Sequence, residues 1–424
     1  MSTIGRDLDV GLATASTWGW PTLSVVANAR THEPAAPAAG GTLKTDHATG
    51  SNVKRIRLGN AVFEGLNNVY VLDGETTALV DTGISTPAVE SELADGLAEF
   101  GLEFADVDEV LLTHWHQDHA GLAGAIQRES GCVVRVHEAD APLVSGAELP
   151  PSSDPELRRE VFDRWGMPDA AREELAEVLD VNESFREVDA DVTPFADGDR
   201  FTINGIELEA MHLPGHAAGL AAFAFDRTGV DTSALDDAGL DDSGLDDHEA
   251  ETGTGPEPTR DGSGDEVAFV GDAILPRYTP NVGGADLRMT NALDQYVNSL
   301  VRIIDREWSV AYPGHRDTIA DPSRRAAVIL EHHRERTERV IDVLREHGPL
   351  DAWSVSAHLF GDLSEVHILH GPGEAYAHLE HLADAGVVER EGTEYLLLDD
   401  DPDVRSLFPE TRFYGRVEAE TEGR

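Results

Sequence analysis

The chain has 424 residues, with 32 Lys and Arg against 81 Asp and Glu, and a formal net charge of −49. That balance argues against a basic nucleic-acid binder or a protein steered to an anionic membrane by ordinary electrostatics. A hydrophobic content of 40% is too high for an acidic disordered chain. Lysine occurs only at Lys44 and Lys54, and the carboxylate-rich, Arg-dominated balance reads as adaptation to high salt, the mark of a halophile. The single cysteine, Cys132, excludes an internal disulfide framework and any Cys-only metal site, and a reducing cytoplasm is the simplest compartment.

In chain order, residues 1–52 read as an N-terminal extension, disordered or loosely packed. Val10 to Ala29 is uncharged, but Arg6 is offset by Asp7 and Asp9 and the apolar run is interrupted, which disfavours a signal peptide. No stretch approaches the roughly 18 consecutive apolar residues of a membrane span. Order is expected from Val53. Val69–Leu72 and Thr77–Val80 are β-rich runs joined by Asp73-Gly74, a hairpin signal. A helix over Pro87–Phe100, a strand at Val110–Leu112, a helix from Asp118 and a strand at Val133–Val136 follow. After a helical region at 154–180 come strands at Phe201–Ile203, Ile206–Met211, Leu220–Phe225 and Val267–Val270. Two strand-rich halves, each with helices, predict a layered α/β fold with the helices outside.

Residues 226–265 hold 13 acidic residues against 2 arginines and a short Leu-Asp-Asp repeat. The repeat lacks the alternating ligand order of a calcium loop, so a solvated surface insertion is the expectation. From Arg325, the residues Ala326, Leu330, His333, Thr337, Val340, Ile341 and Leu344 form a helical stripe that Gly348-Pro349 stops. A short helix at Val355–Phe360, a helix from Glu374 to Ala385 and a hairpin turning at Glu391-Gly392 complete a pattern that fits a winged-helix domain at 325–400. A polar tail at 401–424 follows.

The chemistry concentrates in Leu111-Leu-Thr-His-Trp-His-Gln-Asp-His-Ala-Gly121. At the extended end of a strand alternate residues share a side, so His114 and His116 can share one cation. Where the chain enters a helix, Asp118 and His119 project differently and suit a second. Imidazole and carboxylate are the usual zinc ligands, and mixed sets with an open position are catalytic in style. The competing reading is a His-rich surface loop.

This segment resembles the central His-x-His-x-Asp-His motif of the metallo-β-lactamase superfamily. The resemblance extends over residues 53–320, because Leu79-Val-Asp-Thr-Gly83, Leu213-Pro-Gly-His216, Val270-Gly-Asp272 and Tyr312-Pro-Gly-His315 look like the superfamily's other motifs in order. It implies a four-layer αββα sandwich followed by the small C-terminal domain. It also implies a ligand set: His114, His116 and His216 on one metal, Asp118, His119 and His315 on the other, and Asp272 bridging. Asp81 would orient a ligand histidine from behind. Two zinc ions per chain are the expectation, with iron and manganese as alternatives. Such a pair lowers the pKa of a shared water and yields a bridging hydroxide as nucleophile, with Asp118 able to accept its proton.

Departures from the pattern narrow the activity. The superfamily's true β-lactamases typically place Cys where Asp272 stands, so antibiotic hydrolysis is disfavoured. The flavodiiron pattern has Glu at the position of His116. Lysine-based glutathione recognition of the glyoxalase II type cannot be copied here. The two-domain layout is similar to the β-lactamase-like protein 2 group, which includes RNA-cleaving members. The acids of the C-terminal domain, among them Glu374, Glu380 and Asp384, would repel phosphate, so a cap, packing or homodimerisation role is favoured for it. Arg277, Tyr278 and Asn281, just after Asp272, are expected at the pocket mouth. The leading expectation is a cytoplasmic dinuclear metal hydrolase acting on a small thioester or ester. An endoribonuclease acting on RNA and an iron-dependent persulfide dioxygenase are the alternatives.

Overall fold

The computed structural model describes residues 53–59, 66–183, 189–232, 235, 265–364, 366–399 and 401–413. The extension at 1–52, most of the acidic insertion and the chain beyond residue 413 lie outside the described residues.

Strands β1 (Val53–Leu58), β2 (Asn67–Leu72) and β3 (Ala78–Val80) form an antiparallel meander. Then β4 (Glu109–Leu111), β5 (Val133–His137) and β6 (Val192–Phe195) add in parallel, one beside the next. Parallel neighbours need long crossovers. Helix α1 (Pro87–Glu99) supplies the first, started by Thr86, whose Oγ1 accepts from Val89 N at 3.2 Å, and by Pro87. The short α2 (Gln117–Ala120) and α3 (Ala123–Ser130) supply the second. Helices α4 (Ala141–Val144), α5 (Pro155–Trp165) and α6 (Asp169–Glu183) supply the third. The helical region expected at 154–180 is therefore two helices, because Gly166 caps α5 in the left-handed region and Pro168 follows.

The second sheet holds β7 (Arg200–Ile203), β8 (Ile206–His212), β9 (Ala221–Asp226), β10 (Glu266–Gly271) and β11 (Val310–Pro313), in the order β11-β10-β9-β8-β7. Only β10 and β11 run parallel, and α7 (Ala292–Arg306) makes their crossover. Its Leu293, Tyr296, Val297, Leu300, Ile303 and Ile304 form one buried stripe. Neither α7 nor the edge strand β6, which carries Pro194, was among the elements expected from the sequence.

The sheets pack face to face. Tyr70, Leu72, Val80 and Leu111 of the first meet Phe223, Phe225, Phe269 and Tyr312 of the second in one core. The first sheet's other face is covered by α1 and α3 through Leu93, Leu97 and Ile126. The second sheet's is covered by α7 and the C-terminal helices. The result is an αββα sandwich.

The C-terminal elements are α8 (Pro322–His347), α9 (Ala352–Phe360), α10 (His367–Asp384) and the hairpin β12 (Val388–Glu391) and β13 (Glu394–Leu397). All seven stripe residues expected on α8 are buried. Three expectations are corrected here. Helix α10 begins at His367, two turns before Glu374, and runs through Pro372, because Gly371, Pro372 and Gly373 are buried in tertiary contact that outweighs their helix-breaking tendency. Glu374, expected among the phosphate-repelling acids of this domain, is 4% exposed and paired with Arg336. The tail from 401 is docked as far as it is described: Val404 and Phe408 are buried, with Phe408 5.0 Å from the ring of His381. All described residues belong to one compact unit.

Candidate metal centre

The candidate ligands lie just past the C-terminal ends of strands from both sheets. His114 and His116 follow β4, His216 follows β8, Asp272 follows β10 and His315 follows β11, while Asp118 and His119 sit on α2. The two sheets are bonded to each other here, where Ala221 N of β9 donates to Thr113 O at 2.9 Å. The extended strand end expected to align His114 and His116 is absent, since β4 stops at Leu111 and both lie in the loop beyond it. They meet nonetheless, with Nε2 of His114 at 2.9 Å from Nδ1 of His116.

Each imidazole of the first group is held from behind by a partner that fixes its tautomer. Thr113 Oγ1 donates to Asp81 Oδ2 at 2.8 Å, so it accepts from Nδ1 of His114, at 3.1 Å. His116 donates from Nε2 to Ala285 O at 3.1 Å, and His216 from Nδ1 to Asn281 O at 2.9 Å. The remaining nitrogens, His114 Nε2, His116 Nδ1 and His216 Nε2, therefore turn lone pairs toward one point, with His216 Nε2 at 3.0 Å from His116 Nδ1. Lone pairs this close repel unless a cation lies among them. Burial and the neighbouring His119 push the His114 imidazole well below its ordinary range, and burial with His216 pushes His116 to about 4. Burial also lowers His216. All three are neutral, as metal ligands must be.

The second group is charge-paired. Asp118, His119 and His315 bring their ligand atoms within 4.8 Å of one another. His315 Nε2 lies 3.3 Å from Asp118 Oδ2 and 3.4 Å from Asp272 Oδ2. Against the penalty of burial, Asp272, Asp118 and Asp81 hold the His119 imidazole well above its ordinary range, and Asp272 and Asp118 push His315 up to about 10. The same imidazoles outweigh burial at Asp118 and Asp272 and depress both carboxyls. Asp272 stands between the groups, with Oδ2 also 3.7 Å from His216 Nε2.

Both groups fit divalent cations. Besides the converging lone pairs, His119 Nε2 and Asp272 Oδ1 are buried, 3.6 Å apart, and have no hydrogen-bond partner among the described residues. Gly314 keeps this space open: a Cβ there would stand 2.5 Å from His119 Cε1 and 2.7 Å from Asp272 Oδ1.

Asp81 accepts from His119 Nδ1 at 2.9 Å and from Thr113 N at 2.8 Å. Of the three residues expected at the pocket mouth, Arg277 is exposed and Tyr278 lies under the Arg316 guanidinium, 5.0 Å from ring centroid to Cζ. Asn281 instead turns inward toward the C-terminal helix, where Nδ2 donates to His370 O at 3.2 Å.

A supporting layer escaped sequence reasoning. Arg288 Nη2 lies 2.6 Å from both Asp140 Oδ1 and Asp286 Oδ2. Asp140 accepts from Trp115 N and Gly219 N, and Asp286 from Trp115 Nε1 and Ala218 N. These bonds tie the loop of His114 and His116 to the loop of His216. The one local signal was Asp286-x-Arg288, too common a spacing to stand out, while Asp140 lies 148 residues from Arg288.

Residues 62–234 match the family model described as the metallo-beta-lactamase superfamily. That stretch is a metallo-beta-lactamase superfamily domain. A metallo-beta-lactamase family protein from Thermus thermophilus is similar, with a TM-score of 0.64 and 29% identity, over 82% of this chain and 98% of that one. The Beta-lactamase-like protein 2 homolog of Drosophila melanogaster is 24% identical over 78% of this chain and 84% of its own length. Lactamase-like protein aptB of Emericella nidulans is 24% identical over 70% of this chain and 64% of its own length. Atrochrysone carboxyl ACP thioesterase of Aspergillus chevalieri is 22% identical over 69% of this chain and 66% of its own length. This chain thus spans under two thirds of the latter two fungal relatives. No helix among the described residues is long and apolar enough to cross a membrane.

Proposed function

We propose that the chain is a dinuclear zinc hydrolase that cleaves a small thioester or ester. The observation that carries the dinuclear reading is the position of Asp272. Its carboxylate lies between the three-histidine group and the Asp118, His119, His315 group, within 3.7 Å of an imidazole nitrogen of each.

When bound, the two ions would supply a water of lowered pKa and a Lewis-acid contact to the scissile carbonyl. The chain's residues do the rest. Thr113, Ala285 and Asn281 hold three imidazoles in the tautomers that face the site. Asp118, with His119 and His315, would hold the second ion, and Asn67 Nδ2 steadies its Oδ2 at 3.4 Å. Trp115 packs edge-on to His116 at 4.6 Å and shields it from water on one side.

The thioester substrate is supported by the similarity to a carboxyl ACP thioesterase. A small substrate is favoured over RNA because α10 is largely buried and carries no Lys or Arg to meet a phosphate backbone. The buried thiol of Cys132 suits the reducing cytoplasm, and the −49 charge suits high salt.

Protein purified in high salt should carry close to two zinc ions per chain and turn over acyl thioesters, with turnover lost in Asp272→Asn. A folded protein with metal content near zero would sink the reading. Cleavage of single-stranded RNA, abolished by the same substitution, with no thioester turnover would replace its substrate.

A further inference from the structure

We propose that Glu374, on α10, positions the candidate ligand His216 through Asn281, so that the C-terminal helices set the geometry of the three-histidine group. The proposal rests on reading those imidazoles as metal ligands and adds a residue that no superfamily motif includes.

Two of the three imidazoles in that group are oriented by carbonyls of a single loop. His216 donates to Asn281 O and His116 to Ala285 O. The loop is pinned at Asn281. Its Nδ2 donates to His370 O at 3.2 Å and to Glu374 Oε2 at 3.4 Å, while its Oδ1 accepts from Gly284 N at 3.1 Å. The other Glu374 oxygen is paired with Arg336 of α8, and both side chains of that pair are 5% exposed. Arg336, Glu374, Asn281 and His216 thus form a continuous chain from α8 to the site.

The surrounding backbone leaves no slack. A Cβ at Gly373 would stand 2.3 Å from Gly284 Cα, and one at Gly284 would stand 2.7 Å from His370 Cα, so helix and loop touch backbone to backbone. Arg325, near the start of α8, holds the same loop upstream, donating to Leu275 O and to Tyr278 O at 2.7 Å. A buried carboxylate needs partners for both oxygens; Arg336 serves one and Asn281 the other, which fixes the Asn281 side chain in turn. The other group is held differently. His119 is oriented by Asp81 and the His315 loop by Asn68, both from the first sheet. The reach of Glu374 is therefore confined to one of the two metal positions.

The test uses the full-length protein, stripped of metal by a chelator and titrated with Co2+ while the visible spectrum is recorded. Wild type should show two binding steps. Asn281→Ala keeps the backbone carbonyl and buries no unpaired charge. It should weaken one step by about 10–100-fold and shift its absorption bands, leaving the other step at the wild-type value. Glu374→Gln keeps an acceptor for Asn281 and should fall between the two. If it does not fold, because Arg336 loses its counter-charge, the double variant Arg336→Gln with Glu374→Gln, which buries no lone charge, takes its place. Unchanged spectra and affinities in the variants, or equal weakening of both steps, would overturn the proposal. A wild-type chain that takes up no Co2+ removes the metal reading and this proposal together. Normal wild-type uptake with unchanged variants removes this proposal only.

Discussion

Asp81 accepts a hydrogen bond from Nδ1 of His119 at 2.9 Å while its backbone lies in the left-handed region, at φ 61. Asn tolerates that backbone as well as Asp does, so Asp81→Asn isolates the carboxylate. Asp81 serves Thr113 with both oxygens as well as His119, and an amide cannot serve all three donors. The expected result is a metal affinity lower by about 10–100-fold at the group containing His119, together with a lowered thermal midpoint of the metal-free protein, because a buried donor is left facing the amide. Chelator competition measures the first and a melt of the metal-free protein the second. Unchanged affinity would remove the orienting role.

Gly314 makes a steric prediction. Its Cβ-free face abuts His119 Cε1 and Asp272 Oδ1. Its backbone is pinned on both sides, by N donating to Gly271 O and by O accepting from Asn68 N. Gly314→Ala cannot relieve the contact by moving the chain, so the two ligands must move. We expect a stability loss of about 1–3 kcal/mol in the metal-free protein and weaker metal binding on top of it. Denaturant unfolding and metal titration report the two effects separately, and tight binding by the variant would count against the placement of either ligand.

A pH effect on stability follows from the buried Asp140, Asp286 and Arg288. Two carboxylates share one guanidinium, and burial pushes Asp140 up to about 7, more than Arg288 can offset. A carboxyl raised in the folded state favours folding in its neutral form. Its contribution is full below the ordinary value of 3.8 and is lost as pH rises through about 7. Asp140→Asn mimics the neutral form throughout. Unfolding free energies measured from pH 4 to pH 8 should show the variant gaining on wild type as pH rises, by up to about 1.4 kcal/mol per unit. A pH-independent difference would contradict the assignment.

Legibility differed between the ligands and their supports. His114, His116, Asp118, His119, His216, Asp272 and His315 were readable because strand-end loops carry them in short motifs whose spacing survives without knowledge of packing. Asp81 was readable for the same reason. Asn281 was noticed only for its nearness to Asp272, and its inward turn toward Glu374 depends on a contact 93 residues away. Asp140 and Arg288 are as remote from each other in sequence. The misplaced start of α10 has the same origin: Gly371, Pro372 and Gly373 read locally as a break, and only the loop packed against Gly373 explains why helix persists there.

The two ligand groups should differ in how metal uptake depends on pH. In the metal-free protein His114, His116 and His216 are already neutral, since burial holds all three below their ordinary range. His119 and His315 are protonated, the latter up to about 10, because Asp272 and Asp118 stabilise their charge against burial. An imidazole must lose its proton to bind a metal. Filling the first group at pH 8 should therefore release almost no protons, and filling the second about two. The paired imidazoles also stabilise the metal-free fold, fully below the ordinary value of 6.5 and progressively less as pH rises through their folded values. The depressed carboxyls of Asp118 and Asp272 add stability above 3.8 that is lost on acidification. Acid thus opposes metal first at the second group, and at the first group only as pH approaches about 4. Titration calorimetry in buffers of different ionisation enthalpy counts the protons step by step, and a release near zero in both steps at pH 8 would show that His119 and His315 are not the charged pair described here.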